Sequence, residues 1–594
     1  MILQSLVNYY EILASDADSD IPRLGYGKAN VSYAVNLSAD GELLNIIPLK
    51  INVQKGKKLV EVPQSMEVPE QEKKSVGIKS NFLCENSSYM FGIDNKGKPE
   101  RSKECFKAFK ELHINILQNI NNAAAKAVIS FVNNWDIDQG LEHPALQEYL
   151  DEILSGANLV FKMDGGEFVH QNKEIRQIWE KHKSSSENTN VMQCLVTGKE
   201  ETIARLHPSI KGVKGAQSVG GSIVSFNDRA YESYGRYKEQ GLNSPVSEYA
   251  TFAYTTVLNY LLADGSHKMY LGDATIVFWA ESPKKIYQDF MSLYMNGGMV
   301  NNDERMVKDE VAAREVRSVF EKIAQGKPID DLSDVFDEKT NFHILALSPN
   351  SARLAVRFFT SNSFGSLIRK IAMHYQDLRM EKQYATDADA ISIWRLLNET
   401  VSPKSNDKAA SPLMAGATLK AIITGSPYPA SLYNAILIRI KAEKEINYYK
   451  AAIIKAYLLR NTNKFKEVLT MSLNEQSPNR AYILGRLFAV LEKAQHDANP
   501  GINATIKDRY FTSACATPAS VFPVLLRLSQ HYISKAEYGY VSDRKIADIL
   551  EKLDINNHPF PSNLSLEEQG VFILGYYHQR NAFYQKNNKK SEEN

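Results

Sequence analysis

From about residue 386 to its end the chain carries almost nothing but helical spacing. Segments 430–460, 478–498, 518–537, 543–553 and 565–585 repeat apolar residues three and four apart, the period of one helix face. Period-two alternation, the strand signal, is confined to the part before it. Val31–Leu37 and Leu44–Ile47 flank Asp40-Gly41 and predict a hairpin. Residues 272–280 and 342–347 predict buried strands, and 101–134 and 245–263 predict helices. Residues 54–79, rich in Lys, Glu, Pro and Ser, predict an exposed loop. A chain divided in this way is predicted to be α+β, a mixed N-terminal α/β region followed by an all-helical C-terminal bundle. The expected organisation is a mixed region over 1–400, a basic helical region over 401–470 and a C-terminal helical bundle over 471–594. The polar stretch 402–412 reads as a linker or loop.

Of the 594 residues 43% are hydrophobic and 23% charged, enough to build sizeable cores. Cys84, Cys105, Cys194 and Cys515 are far apart with no CxxC spacing, so neither a zinc ribbon nor a disulfide framework is indicated. The opening MILQSLVNYYEILAS lacks a basic leader and reads as an amphipathic helix. No run is long and apolar enough for a membrane span. The expectation is a cytoplasmic protein with no membrane partner.

The net charge of +1 conceals local excesses. Residues 202–227 contain no Asp or Glu but include Arg205, Lys211 and Lys214. Residues 400–466 hold 11 Lys or Arg against Asp407, Glu443 and Glu445, a local balance of +8. Such stretches are either solvated basic faces or surfaces for a polyanion.

Catalytic signatures are weak. Gly198-Lys199 lacks the spacing of a phosphate-binding loop, and Glu200 stands where that loop needs a hydroxyl. His496-Asp497 pairs two metal-ligand types near a predicted helix end, where a histidine also complements the helix dipole. Cys194 and His207 have no spacing that marks a nucleophile and base. No enzymatic activity is expected, and no cofactor or metal.

Six segments in order resemble one family: MILQSLVNYYEIL (1–13), NFLCENSSYMFG (81–92), CLVTGKEETIARLHPSIKGVKGAQSVGGSIVSFN (194–227), SYGRYKEQGLNSPVSEYATFAYTTVLNYLL (233–262), ILALSPNSARLAVRFF (344–359) and AYILGRLFAVLEKAQHDANPGINATIKDRYFTSACATPASVFPVLLRL (481–528). Together they resemble the large subunit of type I-C (Dvulg subtype) CRISPR Cascade interference complexes. The resemblance implies a non-enzymatic role. The large subunit sits at the foot of a crRNA-bound complex, beside the subunit holding the crRNA 5′ handle and the repeated backbone subunits. It recognises the protospacer-adjacent motif (PAM) in double-stranded target DNA, helps open the duplex and stabilises the R-loop. A separate helicase-nuclease then cleaves. The protein reads a short motif while base pairing reads the target.

Within that frame the 205–227 loop is the candidate reader. Its glycines allow close backbone approach. Gln217 and Ser218 suit minor-groove base edges, Lys211 and Lys214 suit phosphates, and Asn227 adds a polar contact. A structural glycine turn is the alternative. Lys79 and Asn81 are a second candidate, with a strand-entry loop as the alternative. Arg439, Lys450, Lys455, Arg460, Arg480, Arg486, Lys507 and Arg509 are candidates for holding the displaced strand or neighbouring backbone. Tyr448, Tyr449 and Tyr457 are stacking candidates or core. Arg353 and Arg357, four apart, face RNA or a partner subunit. The family also implies that the C-terminal part is made separately as a small subunit by internal translation, and Met471 is the candidate start. A metal-dependent nuclease of antiviral defence, or an assembly scaffold that binds no nucleic acid, are the rival readings.

Overall fold

The computed structural model describes residues 2–16, 19, 21–55, 58–71, 77–95, 97–184, 190–232, 237–295, 310–325, 335–406, 409–553 and 558–592. The chain divides into two compact units. One takes Leu3–Pro208 and Val224–Val257; the other takes Ser209–Ile223 and Leu258–Asn594.

In the first unit the expected hairpin forms between Tyr33–Leu37 and Leu43–Pro48. Gly41, at φ +84, closes it where a Cβ would lie 2.4 Å from the Ala127 carbonyl oxygen. Tyr33–Leu37 also pairs in parallel with Leu159–Met163, which pairs with Cys84–Glu85. Parallel neighbours need a long crossover, and the helices Pro99–Leu117 and Ala123–Asn134 lie within it. The single helical stretch expected over 101–134 is therefore two helices. Asn122 starts the second by accepting from the N–H groups of Ala124 and Ala125. Phe109, Phe131, Phe161 and Trp179 fill the core.

Residues 54–79 are not one loop. Lys58–Pro69 is a strand: Lys58–Pro63 pairs with Lys50–Lys55, and Gln64–Pro69 pairs with Tyr26–Val31. Each half has one neighbour, so the strand tolerates the Lys, Glu and Pro that make its sequence read as loop.

The second unit holds an antiparallel sheet in the order Lys268–Leu271, Ala274–Ala280, Asn341–Asn350, Arg353–Ser363. Phe278, Phe342 and Ile344 pack with Phe290, Phe364 and Ile368 in a core that continues through the C-terminal helices as far as Tyr577. The segment 430–460 is two helices, Ala430–Glu443 and Tyr448–Asn461, because Lys444 turns left-handed at φ 57 and Asn447 caps the next helix. Arg480–Ala498 and Leu566–Glu592 pack at backbone contact. A Cβ on Gly485 would lie 2.0 Å from the Phe572 carbonyl oxygen, and one on Gly575 2.2 Å from that of Tyr482. The expected α+β class is the observed one. No helix among the described residues is long and apolar enough to cross a membrane.

One half-buried acid gives this unit a pH signature. Burial, reinforced by Asp264 and opposed by Lys285, pushes the Asp289 carboxyl up to about 6. A raised carboxyl pKa favours the neutral folded form. Its stabilisation is complete below about pH 4 and is lost as pH rises through about 6. Asp289→Asn should therefore match wild type near pH 3 and exceed it by about 3 kcal/mol at pH 7.5. Thermal melting across that range checks it, and a difference independent of pH would refute the assignment.

Candidate nucleic-acid interface

The loop Ser209–Ile223 is closed at its base by paired hydrogen bonds between Ile210 and Gly221, at 2.8 and 2.9 Å. Inside it, the Ala216 N–H donates to Val213 and the Gly220 N–H to Gln217, giving two successive turns. Gly220 has φ +91, and a Cβ there would lie 2.6 Å from the Ile210 carbonyl oxygen. Only glycine fits both the dihedral and the space.

The rest of the second unit holds this loop at several points. The Lys211 N–H donates to Asn259 Oδ1 at 2.7 Å, and the Lys214 N–H to Thr275 Oγ1 at 3.0 Å. Ser222 exchanges backbone bonds with the strand Arg353–Ser363 and its entry, through Leu354 N–H and Ala352 C=O. Ile210 and Val213 are buried. Lys211, Lys214, Gln217 and Ser218 are exposed. The result is a pinned, acid-free turn with cations and neutral hydrogen-bonding groups facing outward. Such a surface loses little entropy on binding.

Two features here escape the sequence reading. Val219 is 65% exposed at the tip, and Tyr270 is 39% exposed on the outer strand of the sheet. An apolar residue between Ser and paired glycines in an acid-free loop is the signal for the first. Tyr270 carries no sequence signal, since its strand is only four residues long.

The remaining candidates divide by environment. Asn227 is exposed in a segment of the first unit. Lys79 is exposed, but Asn81 is buried, with its N–H on Glu85 Oε1 at 3.0 Å and its amide on Gln71 at 3.3 Å. Asn81 thus serves the entry to the strand Cys84–Glu85.

The basic helices turn their charges inward. Lys450 and Lys455 are each 3% exposed. Lys450 pairs with Glu443 at 2.6 Å, which Arg439 also reaches at 2.7 Å. Lys455 donates to the Asp377 and Arg379 carbonyls, both at 2.9 Å, at the C-terminus of the helix Phe364–Leu378. Burial pulls its ammonium down to about 8 despite the attraction of Asp377. Arg460 pairs with Asp377 at 2.5 Å and lies over the Tyr428 ring at 4.1 Å. Tyr457 stacks on Tyr433, and Tyr448 is buried. Tyr449 faces the Arg395 guanidinium at 4.1 Å.

Arg486 is also buried, donating to Gln579 and the Glu475 carbonyl. Arg480 donates to the His558 carbonyl. Lys507 is half-buried, and burial lowers its ammonium. Arg509 is exposed. Arg357 is exposed at a bulge in its strand and pairs with Asp273 at 2.6 Å. Met471 is exposed in the bend between Tyr448–Asn461 and Arg480–Ala498, ahead of a helix rather than at the end of one.

Among the described residues no group of three or more His, Cys, Asp or Glu is placed to hold a metal. Asp497 pairs with Lys493. Cys194 is buried, and its sulfur accepts from the N–H groups of Val196, Thr197 and Ser247. His207 bonds Tyr254 at 2.6 Å, and burial holds it neutral, at about 4.

The family model for the CRISPR-associated protein Csd1 matches residues 6–584. No curated protein matches the chain. The match takes in the glycine loop, the sheet that pins it and the helices that follow, and is consistent with a type I-C large subunit. One family model thus runs through both units, and the chain belongs to the Csd1 family of CRISPR-associated proteins, the Cascade type.

Proposed function

We propose that this chain is the large subunit of a crRNA-guided type I-C surveillance complex, and that it reads DNA without catalysing a reaction. The observation that carries the reading is the loop Ser209–Ile223. It is fixed by hydrogen bonds on both flanks, free of acidic residues, and presents Lys211, Lys214, Gln217 and Ser218 to solvent. Lys211 and Lys214 bind phosphates and set the register. Gln217 and Ser218 meet base edges of the protospacer-adjacent motif in the minor groove. Val219 beside them supplies an apolar group for unstacking, which costs a few kcal/mol per step.

The partners in this reading are crRNA, target double-stranded DNA, the repeated backbone subunits and the subunit on the crRNA 5′ handle. A helicase-nuclease recruited afterwards performs cleavage. Translation from Met471 would yield a small subunit that begins ahead of the intact helix Arg480–Ala498. Displaced-strand contact, in this reading, falls to exposed cations such as Arg509, since Lys450, Lys455, Arg460 and Arg486 are spent inside the fold.

The test is binding of the reconstituted crRNA complex to duplexes that differ only in the motif. Gln217→Ala should flatten discrimination between motifs by about tenfold. Lys214→Ala should weaken all duplexes alike and reduce the salt slope by about one. If both variants discriminate as wild type does, the loop is a structural turn and this reading fails.

A further inference from the structure

Beside the loop lies an exposed aromatic ring that reading duplex DNA does not require. Tyr270 stands on Lys268–Leu271, the outer strand of the four-stranded sheet, between the buried Met269 and Leu271. Its ring is half-open to solvent. Two ammonium groups approach it: Lys214 Nζ lies 5.6 Å and Lys268 Nζ 5.9 Å from the ring centroid. One comes from the glycine loop and the other from the tyrosine's own strand. The backbone of the first lysine and the ammonium of the second are held. The Lys214 N–H is bound by Thr275, the cross-strand partner of Tyr270. Lys268 Nζ donates to the Leu262 carbonyl at 2.5 Å.

Two cations gathered at one ring repel each other, and a cation–π contact at an exposed site returns only ~0.5–1 kcal/mol. An anion between them reverses the balance. An exposed aromatic face with flanking ammoniums is also the minimal platform for a single-stranded nucleotide, base on ring and phosphate on cation.

We infer that Tyr270, Lys214 and Lys268 form a seat for one unpaired nucleotide of target DNA at the junction where the duplex opens. The base stacks on the tyrosine ring, and its phosphate lies between the two ammoniums. Every base has a π-face, so the seat accepts any of the four. It thereby separates holding an opened strand from reading the motif, which belongs to Gln217 and Ser218. The inference rests on the reading that the Ser209–Ile223 loop meets duplex DNA.

The test is a coupling experiment on the reconstituted crRNA complex. Target duplexes carry a single abasic site, scanned over the first positions beside the motif on each strand. Binding is measured for wild type, Tyr270→Leu and Tyr270→Phe. Tyr270→Leu should weaken binding to intact duplex about tenfold. One abasic position should weaken wild type by a similar factor and Tyr270→Leu no further. Tyr270→Phe, which keeps the ring, should behave as wild type. If the losses from Tyr270→Leu and the abasic site multiply at every position, or if phenylalanine does not rescue, the seat does not exist. Gln217→Ala separates the two failures. If it alters motif discrimination while Tyr270 shows no coupling, only the seat is wrong; if it changes nothing, the loop reading itself has failed.

Discussion

Arg460→Ala should destabilise the second unit by about 3–5 kcal/mol. The guanidinium and the Asp377 carboxylate are 7% and 9% exposed, with nitrogens 2.5 and 2.9 Å from one carboxylate oxygen. Arg460 also donates to the Ala421 carbonyl at 3.1 Å, so it ties three helices together. Truncation strands a buried carboxylate left with the Tyr428 hydroxyl 3.4 Å away and the attraction of the Lys455 ammonium, neither of which replaces the two guanidinium bonds. The penalty comes from that stranded charge rather than from the lost attraction. Removing both partners, as in Arg460→Met with Asp377→Leu, should therefore cost far less than the single change. Urea unfolding of the two variants measures this. A displaced-strand contact would give the opposite pattern, with an unchanged unfolding midpoint and weaker DNA binding.

The second large effect concerns glycines. Alanine is worth about 1 kcal/mol over glycine inside a helix, so Gly→Ala is expected to stabilise wherever there is room. Gly416 has room: it lies within Pro412–Thr424, and a Cβ there meets nothing within 4 Å. Gly416→Ala should raise stability by about 1 kcal/mol. Gly485 has none. A Cβ would lie 2.0 Å from the Phe572 carbonyl oxygen and 2.9 Å from the Tyr576 nitrogen. Both are backbone atoms of the facing helix, so relief requires the helices Arg480–Ala498 and Leu566–Glu592 to separate along a packed seam. Gly485→Ala should cost about 3 kcal/mol, at the upper end of overpacking effects. Thermal melting of the pair decides it, and equal shifts of the same sign would overturn the packing argument.

The helical part was the most legible in the sequence, because helix periodicity survives without knowledge of partners. Its breaks were not. The turn at Lys444 depends on a left-handed residue that composition does not mark. The strand Lys58–Pro69 was hidden by its Lys, Glu and Pro, which are tolerated because each half has a neighbour on one side only.

The glycine loop was visible as a run without acids, but not what pins it. Asn259 and Thr275 lie 48 and 61 residues beyond the positions they hold. Distance in sequence also explains the basic helices. A charge count over 400–466 finds Lys455 and Arg460 but omits Asp377 and Glu399, the acids outside that window that face them and Lys450. For Arg439, Lys450, Lys455 and Arg460, charge clustered in sequence was an interior network in space, while Lys420, Lys464 and Lys466 stay exposed.

The interleaving of the two units has a practical consequence. Ser209–Ile223 belongs to the second unit yet is encoded between two stretches of the first. No single cleavage separates the chain into its units. A fragment beginning at Leu258 lacks the loop, and one ending at Val257 carries it away from Thr275 and Asn259, which hold it. Splitting this protein into complementing pieces therefore calls for a loop supplied in trans or a permuted chain order. A recombination event that exchanges one unit for a homologue's would likewise bring the Ser209–Ile223 loop from one parent and its support from the other.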